Sequence, residues 1–118
     1  MDAAPVIETH HADEESQFEL RDGDAVVGKA RYAPSGDGTG RVFFHTEVDD
    51  AYSGQGLAGR LVAAALDETV ADGLRIVPVC PFVATYVKRH PEYAAHVDEP
   101  TGDHRTRASG AGAAGLDG

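Results

Sequence analysis

Residues 54–59, Gly-Gln-Gly-Leu-Ala-Gly, form the segment of this sequence with the clearest chemical potential. Glycines let an anion approach the backbone closely, because no Cβ atom stands in its way. If a helix begins here, its first N–H groups lack intrahelical partners, and the helix dipole adds partial positive charge. The segment therefore predicts an anion-binding loop at a helix start, as in phosphate recognition.

Two familiar phosphate loops fit this segment poorly. The loop of nucleotide hydrolases ends in Gly-Lys-Ser/Thr, but this segment continues as Gly59-Arg60-Leu61. The letters do match the Gly-x-Gly-x-x-Gly fingerprint of dinucleotide-binding domains. That fingerprint, however, opens the first strand–helix unit and is followed about 20 residues later by an acidic residue. Here three strand patterns come first, and the next strand ends near Cys80.

Alternating apolar and polar residues predict the strands that lead to this loop. They cover residues 16–21, 25–32 and 41–48, and Asp22-Gly23-Asp24 predicts a tight turn between the first two. The third strand has the strongest alternation. Without a bulge, one of its faces would carry Val42, Phe44, Thr46 and Val48, and the other Phe43, His45 and Glu47.

After the loop, the apolar spacing changes from two residues to three and four, which predicts a helix over residues 57–72. Its apolar stripe comprises Ala58, Leu61, Val62, Ala65, Leu66, Thr69 and Val70. A strand over residues 74–79 and a second helix over residues 81–89 follow. A strand–helix–strand unit requires parallel strands. The predicted fold is mixed α/β: an antiparallel meander leading into a strand–helix–strand unit, with helices packed on the sheet.

The chain of 118 residues suits one domain, which we expect to span residues 16–99. Residues 1–15 contain one short apolar run before an acidic, histidine-rich stretch, so they predict a flexible arm or a weak edge strand. Residues 100–118 are rich in glycine and alanine without periodicity. They are expected to be disordered, since they bury too little apolar surface to offset chain entropy.

The sequence is strongly acidic, with 20 Asp and Glu against 10 Lys and Arg and a formal net charge of -10. Such a surface repels nucleic acid and anionic membranes, so neither is expected as a partner. The acidity favours solubility. Asp is abundant, and the sequence has only two lysines, Lys29 and Lys88. This composition resembles that of proteins adapted to a high-salt, halophilic habitat.

Other features bear on the compartment. Cys80 has no second cysteine with which to form an internal disulfide. The first residues lack the basic and apolar regions of a signal peptide, and no apolar run approaches the ~20 residues that span a bilayer. A cytoplasmic protein is expected, as a monomer or weak dimer.

The glycine loop and the segments around it resemble the GNAT superfamily of N-acetyltransferases. Val48 and residues 54–62 are similar to its acyl-CoA loop. Residues 45–48 (His-Thr-Glu-Val), 80–83 (Cys-Pro-Phe-Val) and 86–93 (Tyr-Val-Lys-Arg-His-Pro-Glu-Tyr) resemble its small YjdJ-type branch. The likeness covers roughly residues 18–93. Two departures stand out: Ser53 replaces the usual Gln or Arg, and there is no room for the early helices that often wall the acceptor site.

The resemblance implies acetyl-CoA or another acyl-CoA as co-substrate and an amine as acceptor, with no metal. In the superfamily the strand before the loop commonly splays at a bulge and pairs with the pantetheine arm. By this likeness, the residues expected to contact the cofactor are Thr46, Val48, Gly54, Gln55, Gly56, Leu57, Ala58, Gly59 and Arg60.

Acyl transfer to an amine needs a base for the acceptor and an acid for the departing thiolate. Glu47 is the candidate base and His45, two residues earlier, could share the proton; both could equally be ordinary surface or structural residues. Tyr86 occupies the place of the superfamily's thiolate-protonating tyrosine, or packs in the core. Cys80 could accept the acyl group covalently, or be a small buried residue. Arg60 could neutralise a phosphate or be a surface charge.

The histidines form no recognisable metal-binding pattern. Two functions from different classes remain open. The first is an acyl-CoA-dependent N-acyltransferase acting on an unidentified amine. The second is a non-catalytic module or sensor that binds CoA or acetyl-CoA, and it is suggested by the missing acceptor wall.

Overall fold

The computed structural model describes residues 7–108 of the chain. Five strands and two α-helices follow one another in the order β1-β2-β3-β4-α1-β5-α2. Their bounds are β1 Ile7–Ala12, β2 Gln17–Asp22, β3 Ala25–Pro34, β4 Gly40–Val48, α1 Leu57–Ala71, β5 Arg75–Pro78 and α2 Pro81–Arg89. Short 3-10 turns occur at Asp13–Glu15, Asp50–Tyr52 and Pro91–His96. Among the described residues, no helix is long and apolar enough to cross a membrane.

The strands form one sheet in sequence order, β1-β2-β3-β4-β5. The first four are antiparallel, and β4 and β5 run parallel, connected through α1. The predicted fold is confirmed: a meander leads into a strand–helix–strand unit with helices on the sheet. β5 pairs with β4 only as far as Phe43 and Pro78, because the next N–H on the β4 side, that of Val79, donates to the Val77 carbonyl at 3.2 Å instead.

A bulge in β4 rearranges the faces expected from simple alternation. Adjacent residues Arg31 and Tyr32 of β3 pair with His45 and Phe43, so Phe44 is the extra residue on β4. Phe43 consequently packs in the main core, whereas Val42 lies in a separate cluster with Val77. Val42, Phe44, Thr46 and Val48 therefore do not share the face that they would share without a bulge, because the extra residue reverses the alternation.

The main core lies between one face of the sheet and the two helices. The buried residues of α1 are Leu57, Leu61, Val62, Ala65, Leu66 and Thr69, which matches most of the predicted stripe. Ala58 and Val70, also predicted, are only partly buried. Among the sheet and α2 residues that meet this stripe, Phe18, Leu20, Phe43, Ile76 and Val83 are at most 2% exposed.

Both ends of the described region are ordered elements. β1 is an edge strand, one of the two alternatives expected for residues 1–15. Residues 102–108 are helical, and Ala108 packs against Val42 and Val77, although disorder was expected from residue 100. The expectation failed for these residues because Ala108 packs on an apolar cluster and Arg107 donates to Asp103 within the segment at 3.0 Å, neither of which the composition reveals. The remainder of the predicted tail, residues 109–118, and residues 1–6 lie outside the described residues.

Candidate functional site

The glycine loop forms the sharp entry into α1. Gly54 and Gly56 have φ angles of 78° and 72°, a left-handed conformation that favours glycine, and no atom lies within 4 Å of where a Cβ would be. Gly56 is the N-cap of α1 and no side chain caps the helix. Arg60 N–H makes the first intrahelical bond, to the Gly56 carbonyl at 3.2 Å. The preceding N–H groups of the first turn therefore have no intrahelical partner and can bind an anion.

Gly59 differs from the other two glycines of the loop because it lies inside α1. It has no positive φ, and a Cβ there would stand 4.0 Å from the Tyr86 ring, an ordinary contact. Gln55 precedes the helix and Ala58 lies in its first turn. The motif therefore divides into a left-handed turn at Gly54 and Gly56 and a helical half that begins at Leu57.

The C-terminal half of β4 presents a free backbone edge beside this loop. Asp49 N–H donates to the Val27 carbonyl of β3 at 2.8 Å. Backbone groups alternate between the two edges of a strand, so those of Thr46 and Val48 point away from β3. On that side β5 ends at Pro78, and no other described strand pairs with residues 46–48. An extended amide chain can therefore pair with β4 in the gap.

His45 and Glu47 form a hydrogen-bonded pair on the sheet face that is turned away from α1. The His45 Nε2 donates to Glu47 Oε1 at 2.6 Å, and both side chains are 48% exposed. This bond, supported by the positive charges of Lys29 and Arg31, holds the pKa of the Glu47 carboxyl below its usual value. Glu47 is thus an ionised proton acceptor next to an imidazole, accessible from solvent.

Cys80 is buried where β4 and β5 diverge. Its N–H donates to the Phe43 carbonyl at 2.8 Å, and its Sγ lies 3.5 Å from Thr46 Oγ1. It also occupies the N-cap position of α2. The thiol therefore faces the same gap as the free edge of β4, although only 5% of the residue is exposed.

Tyr86 connects α2 to the loop helix. Its ring lies beside Gly59 and stacks on His90, with the ring centroids 4.0 Å apart. Burial, followed by the negative charges of Asp67 and Glu92, raises the pKa of the Tyr86 phenol. The neighbouring Tyr93 donates its hydroxyl to Asp67 at 2.6 Å, but the Tyr86 hydroxyl has no such bond to another described residue. A protonated phenol with an unengaged hydroxyl can act as an acid.

A largely apolar cavity of about 530 Å³ lies next to Tyr86 on the outer face of α2. It is lined by Pro81, Phe82, Thr85, Tyr86, Arg89 and His90. Phe82, Thr85 and Arg89 are not among the predicted site residues, although their helical spacing with Tyr86 offered a signal. A second depression, of about 470 Å³, lies among Glu8, His10 and Arg21 and contains none of the predicted site residues.

Two loop-proximal side chains have local structural bonds. Ser53 Oγ donates to the Asp50 carbonyl at 2.9 Å and closes the 3-10 turn before the loop. Arg60 donates to the Ile7 carbonyl of β1 at 2.9 Å. One N–H group of the Arg60 guanidinium therefore binds the edge strand, and the positive charge lies near the start of α1.

The structure brings the predicted residues into two groups around β4. The glycine loop, the Thr46 and Val48 backbone, Cys80 and Tyr86 surround the gap, whereas His45 and Glu47 lie on the adjacent open face. Lys29 and Arg31 join the second group, and only the register of β3 with β4 reveals this. Within residues 7–108, no group of three or more His, Cys, Asp or Glu side chains is arranged to hold a metal ion.

Comparison with known proteins gives partial matches to small vertebrate relatives. The chain is 44% identical to Protein NATD1 of Gallus gallus over 55 residues, which are 45% of this chain and 50% of the relative. Protein NATD1 of Homo sapiens is 47% identical over 47 residues, 40% of this chain and 42% of the relative. The matched region thus spans half or less of the length of these relatives.

A protein-family model matches a much larger part of the chain. The model is described as GCN5-related N-acetyl-transferase, and it matches residues 17–97, from the start of β2 to just beyond the last 3-10 turn. This range contains the splayed β4, the glycine loop, α1, Cys80 and Tyr86. The chain therefore belongs to the GCN5-related N-acetyltransferase family.

Proposed function

We propose that this chain is an N-acyltransferase that uses an acyl-CoA, with acetyl-CoA the expected donor, and acts on a primary amine. One observation carries the proposal: β4 has a free backbone edge at Thr46 and Val48, and the uncapped start of α1 at Gly56 follows it in the chain after one 3-10 turn. An acyl-CoA combines an extended chain of amides with a pyrophosphate. The free strand edge suits the amides, and the loop N–H groups suit the pyrophosphate.

Side chains around the gap and on the adjacent open face supply the proton transfers of acyl transfer. The amine nitrogen forms a bond to the acyl carbon, and the carbon–sulfur bond breaks. Glu47, directly or through His45, takes the proton that the amine loses. Tyr86, a phenol that is protonated at neutral pH, gives a proton to the departing thiolate. Arg60 adds positive charge at the helix start that receives the pyrophosphate.

Turnover is tested with purified protein, acetyl-CoA and a broad panel of amines, with thiol release and acetylated product measured together. Glu47→Gln and Tyr86→Phe are each expected to lower kcat at least about 100-fold, the usual size of a lost acid or base. Tyr93→Phe and Glu99→Gln are matched controls, because the Tyr93 hydroxyl is bound to Asp67 and Glu99 is an exposed residue after the last 3-10 turn. Equal losses in the controls would contradict these roles.

One observation favours the alternative of a binding module without turnover. His45 and Glu47 lie on an open face. The helical segment 102–108 packs on that face over Val42 and Val77, but it leaves both side chains 48% exposed, without an acceptor wall. Binding of acetyl-CoA by calorimetry, with no thiol release for any amine, would support the module. A Cys80 acyl adduct in intact mass spectra, absent in Cys80→Ala, would instead show a covalent route. Assignment to the small YjdJ-type branch is part of the same proposal and rests on the motifs around Cys80 and Tyr86.

A further inference from the structure

The geometry points to an amine acceptor that carries a carboxylate, as an amino acid does, with the carboxylate held by Lys29 and Arg31 beside Glu47. The inference rests on the proposed acyltransferase function and names the substrate class of that site. It assigns Lys29 and Arg31 of β3, which belong neither to the glycine loop nor to β4, to recognition of the acceptor.

Strand register places four polar side chains together on the open face. Arg31 pairs with His45, and Lys29 pairs with Glu47. The intervening Ala30 lies in the core, which sends its two neighbours to the opposite face. Side chains directly opposite one another in a sheet have Cβ atoms about 5 Å apart. The two cations therefore lie within one small molecule's length of the candidate base.

Both cations are available for a ligand. Among residues 7–108, no carboxylate lies within ion-pair distance of Lys29 or Arg31. Glu19, the other carboxylate that Lys29 faces across the sheet, is already bound by Gln17 at 2.6 Å and by Arg21 at 2.9 Å. Glu47 is bound by His45 instead.

Arg31 is also held in position for recognition. Its guanidinium lies over the Phe44 ring, 5.2 Å from the centroid, on the residue that forms the β4 bulge. A guanidinium stacked on an aromatic ring keeps its N–H edges free, and those edges match a carboxylate in geometry. The bulge thus positions Phe44 beneath Arg31.

The local pair of cations, Lys29 and Arg31, contrasts with the negative charge of the whole molecule. A chain with a formal net charge of -10 disfavours the carboxylate end of a ligand over most of its surface. Two adjacent cations without carboxylate partners, on an exposed sheet face next to an ionised base, supply a local attraction. With the carboxylate at Arg31 and Lys29, the amine end of an amino acid extends toward His45 and Glu47, where its proton is removed.

The test compares linear amino acids, from glycine to 5-aminopentanoate, with the amide of each one, at fixed ionic strength and with acetyl-CoA as donor. Lys29→Gln and Arg31→Gln are each expected to lower kcat/KM for the carboxylates about tenfold, as for a lost charged hydrogen bond. The change for the amides should be clearly smaller, because there the variants act only through the charge that they remove near Glu47. Arg105→Gln removes an exposed cation from the C-terminal helical segment as the matched control. Thermal unfolding verifies that all variants fold.

The outcomes separate this inference from the proposed function. Acetylation of amides and carboxylates with equal kcat/KM, or equal losses in Arg105→Gln, would overturn the carboxylate assignment and leave the acyltransferase intact. If no amine is acetylated, the proposed function fails. The inference is then decided by NMR titration of the CoA-loaded protein with the same compounds. Shifts at Lys29 and Arg31 with the acids alone would support it, and equal or absent shifts would overturn it.

Discussion

Gly56 and Gly59 are both glycines of the loop motif, but they have different backbone conformations. Gly56 has a φ of 72° at the N-cap, whereas Gly59 is a helical residue without a positive φ. A side chain at Gly56 costs about 1–2 kcal/mol of conformational strain, since the left-handed region crowds a Cβ. A glycine in a helix interior is, by contrast, about 0.5–1 kcal/mol worse than alanine.

We predict that Gly56→Val loses acetyl-CoA binding, whereas Gly59→Ala keeps it and raises the free energy of unfolding by up to ~1 kcal/mol. The valine distorts the turn that presents the first N–H groups, and the alanine only fills space beside Tyr86. Calorimetric titration and chemical denaturation measure the two effects. Unchanged affinity in folded Gly56→Val would show that the loop does not bind the donor.

The charge state of Glu47 depends first on its bond to His45 and also on the charges of Lys29 and Arg31. A carboxyl whose pKa is lowered in the folded state stabilises the fold above its unfolded pKa. It loses that contribution as the pH falls through the lowered, folded value. The relevant window therefore lies below the ordinary pKa of 4.5. Both side chains are half exposed, so solvent screens the contribution to stability.

We predict that His45→Ala raises the pKa of Glu47 toward 4.5, because it removes the largest favourable contact of the carboxylate. Lys29→Gln should raise the pKa less, since its charge acts only through space. Carboxyl-carbon NMR titration of Glu47 reports the pKa of each variant directly. A pKa that stays the same without His45 would mean that the two side chains do not interact in solution.

At the scale of elements, β1 is joined to α1 through His11. The imidazole stacks on Phe18 with centroids 4.1 Å apart, lies 2.6 Å from the Tyr32 hydroxyl and donates to Glu68 of α1. Arg60, at the start of the same helix, donates to Ile7. The edge strand is therefore fastened at both of its ends to the helix that carries the glycine loop.

We predict that His11→Ala lowers the free energy of unfolding by about 2 kcal/mol, from the lost stacking and the charged hydrogen bond. Hydrogen exchange should accelerate in β1 more than in β3 or β4. His10→Ala is the matched control, because the neighbouring imidazole is exposed, and it should change stability by less than ~0.5 kcal/mol. Equal effects of the two substitutions would contradict the role of His11.

At the scale of the whole molecule, the excess of 10 acidic over basic residues opposes both the compact state and an anionic donor. Dissolved salt screens this repulsion, since the Debye length falls from about 10 Å at 0.1 M to about 3 Å at 1 M. Asp49 and Asp50, exposed just before the glycine loop, bring the repulsion close to the site.

We predict that both Tm and the affinity for acetyl-CoA rise between 0.05 and about 0.5 M KCl, within the range where screening changes most. Most anion-binding proteins show the opposite trend in affinity. A sucrose series at constant low salt is the control for effects of cosolvent exclusion on stability. A flat or falling affinity over this range would show that the acidic surface does not govern access to the site.

Local pattern alone predicted most elements of this fold. The predicted second helix coincides with α2, and the predicted first helix extends one residue beyond α1. These succeeded because apolar spacing, Gly56 and Pro81 act on the backbone within a few residues. The faces of β4 could be assigned only for a strand without a bulge, because the bulge at Phe44 is defined by pairing with β3 and alternation alone does not locate it.

The sequence by itself determined the glycine loop, the strand before it and the helix after it, since these depend on local spacing and on glycine's access to positive φ. Only the tertiary structure decided which side chains meet. The register of β3 with β4 placed Lys29 and Arg31 beside Glu47 and His45, and the end of β5 at Pro78 left the edge at Thr46 and Val48 free. These contacts join residues that are far apart in the chain. Local sequence patterns cannot reveal them, because they depend on strand pairing and on packing.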